Sequence, residues 1–527
     1  MPMDRERRRL LQASFALGLA ASTPAFATPR IEHSTARTRS GRILGLRDGD
    51  LHVFRGIPYG ADTAAYRFQP PRREAPWRGT RTALAFGNSA PQSGNDGPGS
   101  EDCLFLNVTT PGLRDGGRRP ILVYIHGGGY NNGSGSDPLY DGRRLCAAGD
   151  VVVVTVNHRL NAFGYLHLGE FDERFASSGN AGQLDLVAAL QWVRDHAAEF
   201  GGDAGNVTVF GQSGGGAKIA TLMAMPAARG LFHRAWTMSG QQVTAAGPRA
   251  AAQRARLYMD ALGARDVDAL SHLPMASLVA ALRTRDPSRV EDSSLYFGPV
   301  MDGNALPRHP FWPDAPPQSA VIPMVIGNTR DETRAFLGND PANFSLGWGE
   351  LPEKLRKQQY VDIDPHEVIA EYRQLYPHYT PSEVFFAATT AGRSWRGAVE
   401  ELEARAAQGG NTWAYQLDWY PDTDQGRRTR AFHTLDIPLV FDNIAQPGSR
   451  TGTSDEARNV AAAMRDVLLA FARSGDPRTG ATASWSPYSL PRRETMVFGA
   501  TPTMQDDPRG GERRLYRRAP FVQRGTF

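Results

Sequence analysis

The chain has 527 residues, 41% hydrophobic and 22% charged, with a formal net charge of +4, a balance suited to a folded soluble chain with a sizeable core. Residues 1–27 carry four arginines against Asp4 and Glu6, which leaves +2 spread over the remainder and gives no support for nucleic-acid binding. Two cysteines, Cys103 and Cys146, and twelve scattered histidines without H-E-x-x-H or similar spacing exclude a disulfide scaffold and a zinc cluster, so neither metal nor cofactor is expected.

The N-terminal stretch "DRERRRLLQASFALGLAASTPAFA" has a basic start, an uncharged run from Leu10 and the small-x-small ending Ala25-Phe26-Ala27. This pattern predicts an export signal over residues 1–27 and an exported, periplasmic or secreted product. Arg7-Arg8-Arg9-Leu10-Leu11-Gln12 is similar to a twin-arginine signal. The Gln, Ser, Thr and Pro content argues against a stable membrane anchor. Further along, "GNSAPQSGNDGPGSED" (87–102) reads as a surface loop, and no linker divides the chain.

The apolar run Ile121–Ile125 reads as a buried strand ending at His126-Gly127-Gly128-Gly129. Residues without side chains at a strand end let backbone N–H groups approach a ligand, as in the HGGG-type oxyanion loop. Val207–Phe210 is a second such strand, and it stops at Gly211-Gln212-Ser213-Gly214-Gly215 before a helix-compatible run. That is G-x-S-x-G in the strand-to-helix context of a nucleophile elbow, which exposes the serine hydroxyl on a tight turn. An activated serine needs a base, a group that orients the base, and donors for the oxyanion. In such folds the acid follows the serine and the histidine follows the acid. "VIPMVIGNTRDETRAF" supplies Asp331 and Glu332 after an apolar strand, and "RAFHTLDIPLVF" supplies His433 in a polar loop. On the residues alone, either carboxylate could orient the histidine. The C-terminal "GGERRLYRRAP" (510–520) reads as a solvated basic tail.

Taken together, "FRGIPYG", "EDCLFLNV", "HGGGY", "VTVNHRLNAFGYL", the serine motif, "GPVMDG", "GNTRDETRAF", "FHTLDIPLVF" and "FARSGDP" resemble the type-B carboxylesterases, the family that includes cholinesterases and bacterial aryl-ester hydrolases. The resemblance covers nearly the whole of residues 28–527. It implies an α/β-hydrolase fold, with a large, mostly parallel sheet flanked by helices and a cap-like helical region over about 339–407. Ile121–Ile125, Val151–Val156, Val207–Phe210, Met324–Ile326 and Trp413–Leu417 read as sheet strands. "DEARNVAAAMRDVLLAFARSGDP" reads as a flanking helix with Val460, Met464, Val467, Leu468 and Phe471 on one face and Gly475 and Pro477 closing it.

Position by position, the resemblance implies Ser213 as nucleophile, Glu332 as the triad acid in preference to Asp331, His433 as general base, and Gly128, Gly129 and Gly214 as oxyanion donors. The reaction implied is hydrolysis of a small-molecule carboxylic ester, with aryl carbamates or amides as an alternative on the same triad. Because some relatives lack the serine and act by binding, a silent interaction module is the rival from another class. Arg67 with Glu101 and Arg159 with Asp185 resemble structural ion pairs, and Ser239 a residue supporting the triad from behind. The family commonly has Glu where this chain has Gln212 and Ala where it has Gly214. The partner often present for the cysteine of "EDCL" is replaced here by Ala90. Cys103 is therefore free or paired with Cys146, and free thiols are expected.

Overall fold

A computed structural model describes residues 32–94, 99–287, 293–523 and 525–526. The expected export signal, 1–27, and part of the expected surface loop at 87–102 lie outside the described residues. Among the described residues the strands form one thirteen-stranded sheet. Its centre and C-terminal side are parallel throughout, in the order Val152–Val156, Arg119–Ile125, Gly202–Gln212, Arg234–Met238, Met324–Thr329, Thr412–Leu417 and Glu494–Phe498. Antiparallel strands extend it on the N-terminal side through Phe105–Thr110, Leu51–Pro58, Arg42–Asp48 and His33–Arg37, and Pro502–Asp506 closes the far edge.

The central parallel strands carry near-continuous apolar runs, Ile121–Ile125, Val152–Val156 and Val207–Phe210, because both of their faces are covered. Side chains alternate between faces, so successive residues of one strand belong to different cores. Val123 and Val209 pack with Leu186 and Leu190 of the helix Ala181–His196, whereas Leu122, Tyr124 and Phe210 pack with the helix Asp455–Ser474. That second helix buries Val460, Met464, Val467, Leu468 and Phe471 as the periodicity predicts. Ser454 caps its N-terminus by accepting from the Ala457 N–H, and Gly475 ends it at φ 80°, a left-handed value at no steric penalty for glycine.

The region 339–407 is helical, with Leu351–Gln358, Pro365–Leu375, Pro381–Thr390 and Arg396–Gln408 as its main segments. Leu351, Leu355, Val368, Tyr372 and Phe385 give it an apolar core of its own, shared with Leu515 and Tyr516 from the C-terminal end.

Two expectations are corrected. The segment 510–520 is not a solvated tail. Gly510–Tyr516 is a helix whose Leu515 and Tyr516 are buried, and its fully buried Glu512 pairs with Arg509 and lies 3.4 Å from Arg330. Nor is 87–102 all surface, since Ala90 and Gln92 are buried and Gln92 Oε1 accepts from the Gly133 N–H at 2.7 Å. The ion pairs form as expected: Arg67 to Glu101 at 2.5 Å and the fully buried Arg159 to Asp185 at 2.6 Å. Cys103 and Cys146 are free and buried, and burial pushes both thiols up, away from the reactive thiolate. Among the described residues no helix is long and apolar enough to cross a membrane.

Candidate active site

In a parallel α/β sheet, ligands meet the carboxyl ends of the strands. His126 and the glycines after it follow Arg119–Ile125, Ser213 follows Gly202–Gln212, and Glu332 follows Met324–Thr329, so three candidate segments leave the same edge of the sheet. Ser213 stands between strand and helix at φ 56° and ψ −126°, a strained conformation for a residue with a side chain. Its neighbours hold it there. Its N–H donates to Met238 O at 2.7 Å, its carbonyl accepts from the Ala217 N–H at 3.1 Å, and a Cβ at Gly215 would lie 1.9 Å from Ile125 O. Only glycine lets the elbow pass so close to the neighbouring strand.

His433 and Glu332 meet in the interior. Glu332 is fully buried, and its Oε2 is in a short hydrogen bond with His433 Nδ1. The other oxygen, Oε1, accepts from the Thr329 N–H at 3.0 Å and from Asn328 Nδ2 at 3.2 Å, which fixes the carboxylate. Asp331, the competing carboxylate, turns away to Arg334 at 3.3 Å. Ser239 Oγ accepts from the same Thr329 N–H at 3.3 Å, so it braces the acid loop from behind. The half-exposed ring of Phe336 lies 4.8 Å from the His433 ring.

Gln212 supplies a contact that sequence reasoning left out. Its Nε2 is 3.1 Å from His433 Nε2 and 3.4 Å from His433 Nδ1. A group nearly equidistant from both ring nitrogens lies over the ring face, because in the ring plane that position would clash with the carbon between them. Among the described residues Ser213 Oγ makes no hydrogen bond.

The glycine loop packs directly on the elbow. A Cβ at Gly127 would be 3.3 Å from Ser213 Cβ, and one at Gly214 would be 2.0 Å from Gly129 O. The loop therefore sits where the alanine common in the family would put its methyl group. Gly128 and Gly129 hold φ of 82° and 61°, and Gly214 opens the helix, where N–H groups lack an intrahelical acceptor. Two further groups went unremarked in the sequence. Asp436 is fully buried, accepts from Tyr415 OH at 2.9 Å and is pushed up to about 7 by burial and by the nearby Glu332. Lys218, on the elbow helix, is fully buried and donates to His126 O at 3.2 Å. A lone lysine in "GGGAKIATL" was its visible signal.

The sheet order, the elbow and the flanking helices define an α/β-hydrolase. The carboxylesterase family profile matches residues 32–515, and the chain belongs to that family and is a carboxylic ester hydrolase. The para-nitrobenzyl esterase of Bacillus subtilis is 34% identical over 91% of this chain and 98% of its own. A phenmedipham hydrolase of Pseudarthrobacter oxydans is 32% identical over 89% and 96%. Among solved structures, the Geobacillus stearothermophilus carboxylesterase EST55 superposes with a TM-score of 0.81 at 36% identity, covering 92% of this chain and 99% of that one.

Proposed function

We propose that the chain cleaves carboxylic esters through an acyl-enzyme on Ser213, with His433 as general base, Glu332 as the orienting acid, and the N–H groups of Gly128, Gly129 and Gly214 as oxyanion donors. His433 Nε2 takes the Ser213 proton as Oγ attacks the ester carbonyl. The tetrahedral intermediate collapses, and the alcohol leaves with that proton. Water then enters, gives a proton to His433 and attacks the acyl carbon, and the second tetrahedral intermediate releases the acid as His433 returns that proton to Ser213 Oγ. The supporting observation is the buried Nδ1 contact between His433 and Glu332, since it leaves Nε2 as the nitrogen available to the serine.

The helical region 339–407 adjoins the acid loop, with Thr333 Oγ1 donating to Phe386 O at 2.9 Å and Asn328 Nδ2 to Ser394 Oγ at 3.2 Å. We assign acyl and alcohol preference to this region. Residues 1–27 are proposed to direct export. The test of the mechanism is Ser213→Ala, assayed on p-nitrophenyl esters of graded acyl length with aryl carbamates and anilides alongside. Loss of a serine nucleophile costs about 10⁶ in rate. Activity within tenfold of the parent would overturn the assignment, and the panel ranks the leaving groups.

A further inference from the structure

We propose that Lys218 is a positioning residue of the oxyanion loop, its buried ammonium tying the backbone of His126 to the helix that follows Ser213 and adding positive potential behind the loop. The inference rests on the acyl-enzyme reading above. Lys218 lies on the elbow helix Gly214–Leu222 and is fully buried. Its Nζ donates to His126 O at 3.2 Å and lies 5.5 Å from the centroid of the Tyr130 ring. Among the described residues no carboxylate pairs with it, which is a costly arrangement for a cation.

The loop carries this contact toward the serine. His126 Nδ1 is 3.0 Å from Gly127 O, and a carbonyl can only accept, so the ring holds its proton on Nδ1. Gly127 O and the Gly128 N–H belong to one trans peptide and point in opposite directions. The ring therefore grips the far end of the peptide whose N–H is a proposed oxyanion donor, and Lys218 grips the residue that carries the ring.

Three groups face the ammonium. Burial and the Lys218 charge lower His126 to about 3 and also lower His158, which stacks on His126 at 4.8 Å, while burial raises Tyr130. Lys218 itself is lowered by burial from 10.5 to about 7. Of these groups only Lys218 changes charge between pH 6 and 9. Glu401, which acts on Tyr130, is raised to about 8 by burial, but it is common to parent and variant and cancels in their ratio. Because the folded state disfavours the ammonium, the unfolded chain binds the extra proton between about 7 and 10.5, and the stability penalty from Lys218 is largest below that window.

The experiment is Lys218→Met, near-isosteric and uncharged, measured on p-nitrophenyl butyrate from pH 6 to 9.5 with thermal melting alongside. The expected result at pH 6 is kcat reduced at least about tenfold, KM changed less than threefold and a melting temperature equal to or above the parent's. The kcat deficit should narrow as pH rises. A purely structural lysine would instead lower the melting temperature and kcat together, and that outcome overturns the inference. So does a deficit that stays constant with pH. Parental kcat in Lys218→Met with Ser213→Ala inactive overturns this inference alone, whereas an active Ser213→Ala overturns the acyl-enzyme reading beneath it.

Discussion

Gln212 lies fully buried against Ser213 with its amide nitrogen over the His433 ring, in a position where the family commonly carries glutamate. A glutamate there would bring a full negative charge; the amide keeps the shape without it. One charge about 5 Å from a ligand cation, at an effective dielectric near 20, is worth about 3 kcal/mol before desolvation. The enzyme should accordingly turn over butyrylcholine and its neutral tert-butyl isostere with kcat/KM values within about tenfold. A hundredfold preference for the cation would mean that other groups supply the field. Glu401 offers a pH test on stability. One of its oxygens accepts from the Gln242 N–H at 2.7 Å, the other is buried without a partner among the described residues, and burial raises the carboxyl from 4.5 to about 8. The folded chain thus keeps a proton that the unfolded chain releases, so this group's contribution to stability falls as pH rises from about 4.5 to 8. Glu401→Gln should flatten that part of the stability profile, read by urea unfolding at pH 5 and pH 8. An unchanged slope would show that Glu401 is not its source.

The helix Gly510–Tyr516 shows how far an element's composition can mislead. Its arginines suggested solvent, yet the helix turns on Glu512, which accepts from Tyr372 OH at 2.8 Å and Tyr376 OH at 2.7 Å and pairs with Arg509. Burial alone would raise this carboxyl; Arg509 and Arg330 outweigh it and hold it near 2. Removing one partner of a buried pair costs roughly 3–5 kcal/mol. Glu512→Gln should therefore destabilise the protein by about that much at pH 7, and the difference should shrink as pH falls from about 4.5 toward 2, the interval over which the native carboxylate loses its advantage. A change below 1 kcal/mol in chemical denaturation would rule this out. Arg330 sits two residues before Glu332, so the helix also steadies the acid loop. None of this was legible in the sequence, because a charge run reads the same whether its partner is water or a residue more than a hundred positions away. The long flanking helix was legible to its last turn, since one amphipathic face and one glycine stop are local signals, whereas its Ser454 cap emerged only in the structure.

At the scale of the whole molecule, five of the seven parallel strands and the segments at their carboxyl ends were readable because strands buried on both faces leave near-continuous apolar runs, and the glycines and polar residues that interrupt them mark the edge where substrate meets the sheet. Arg234–Met238 and Glu494–Phe498 went unread because an arginine opens the one and Glu-Thr the other, which leaves runs too short to stand out. The antiparallel N-terminal strands were less legible, since half-exposed strands such as His33–Arg37 carry no such run. That strand bears on export. Cleavage after Ala27 would leave residues 28–32 ahead of the first described strand, so the sheet that carries the site would keep every strand found among the described residues. His33–Arg37 is already tied into the fold by its ladder to Arg42–Asp48 and by the Arg37 N–H donating to Glu199 Oε1 at 2.6 Å. The cleaved chain should thus retain the parent's melting temperature within about 2 °C and its full esterase activity. N-terminal sequencing of exported protein should begin at Thr28, and exported material that begins at Met1 would refute the proposed signal. A cleaved chain that melts well below the full one would show instead that residues 1–27 belong to the fold.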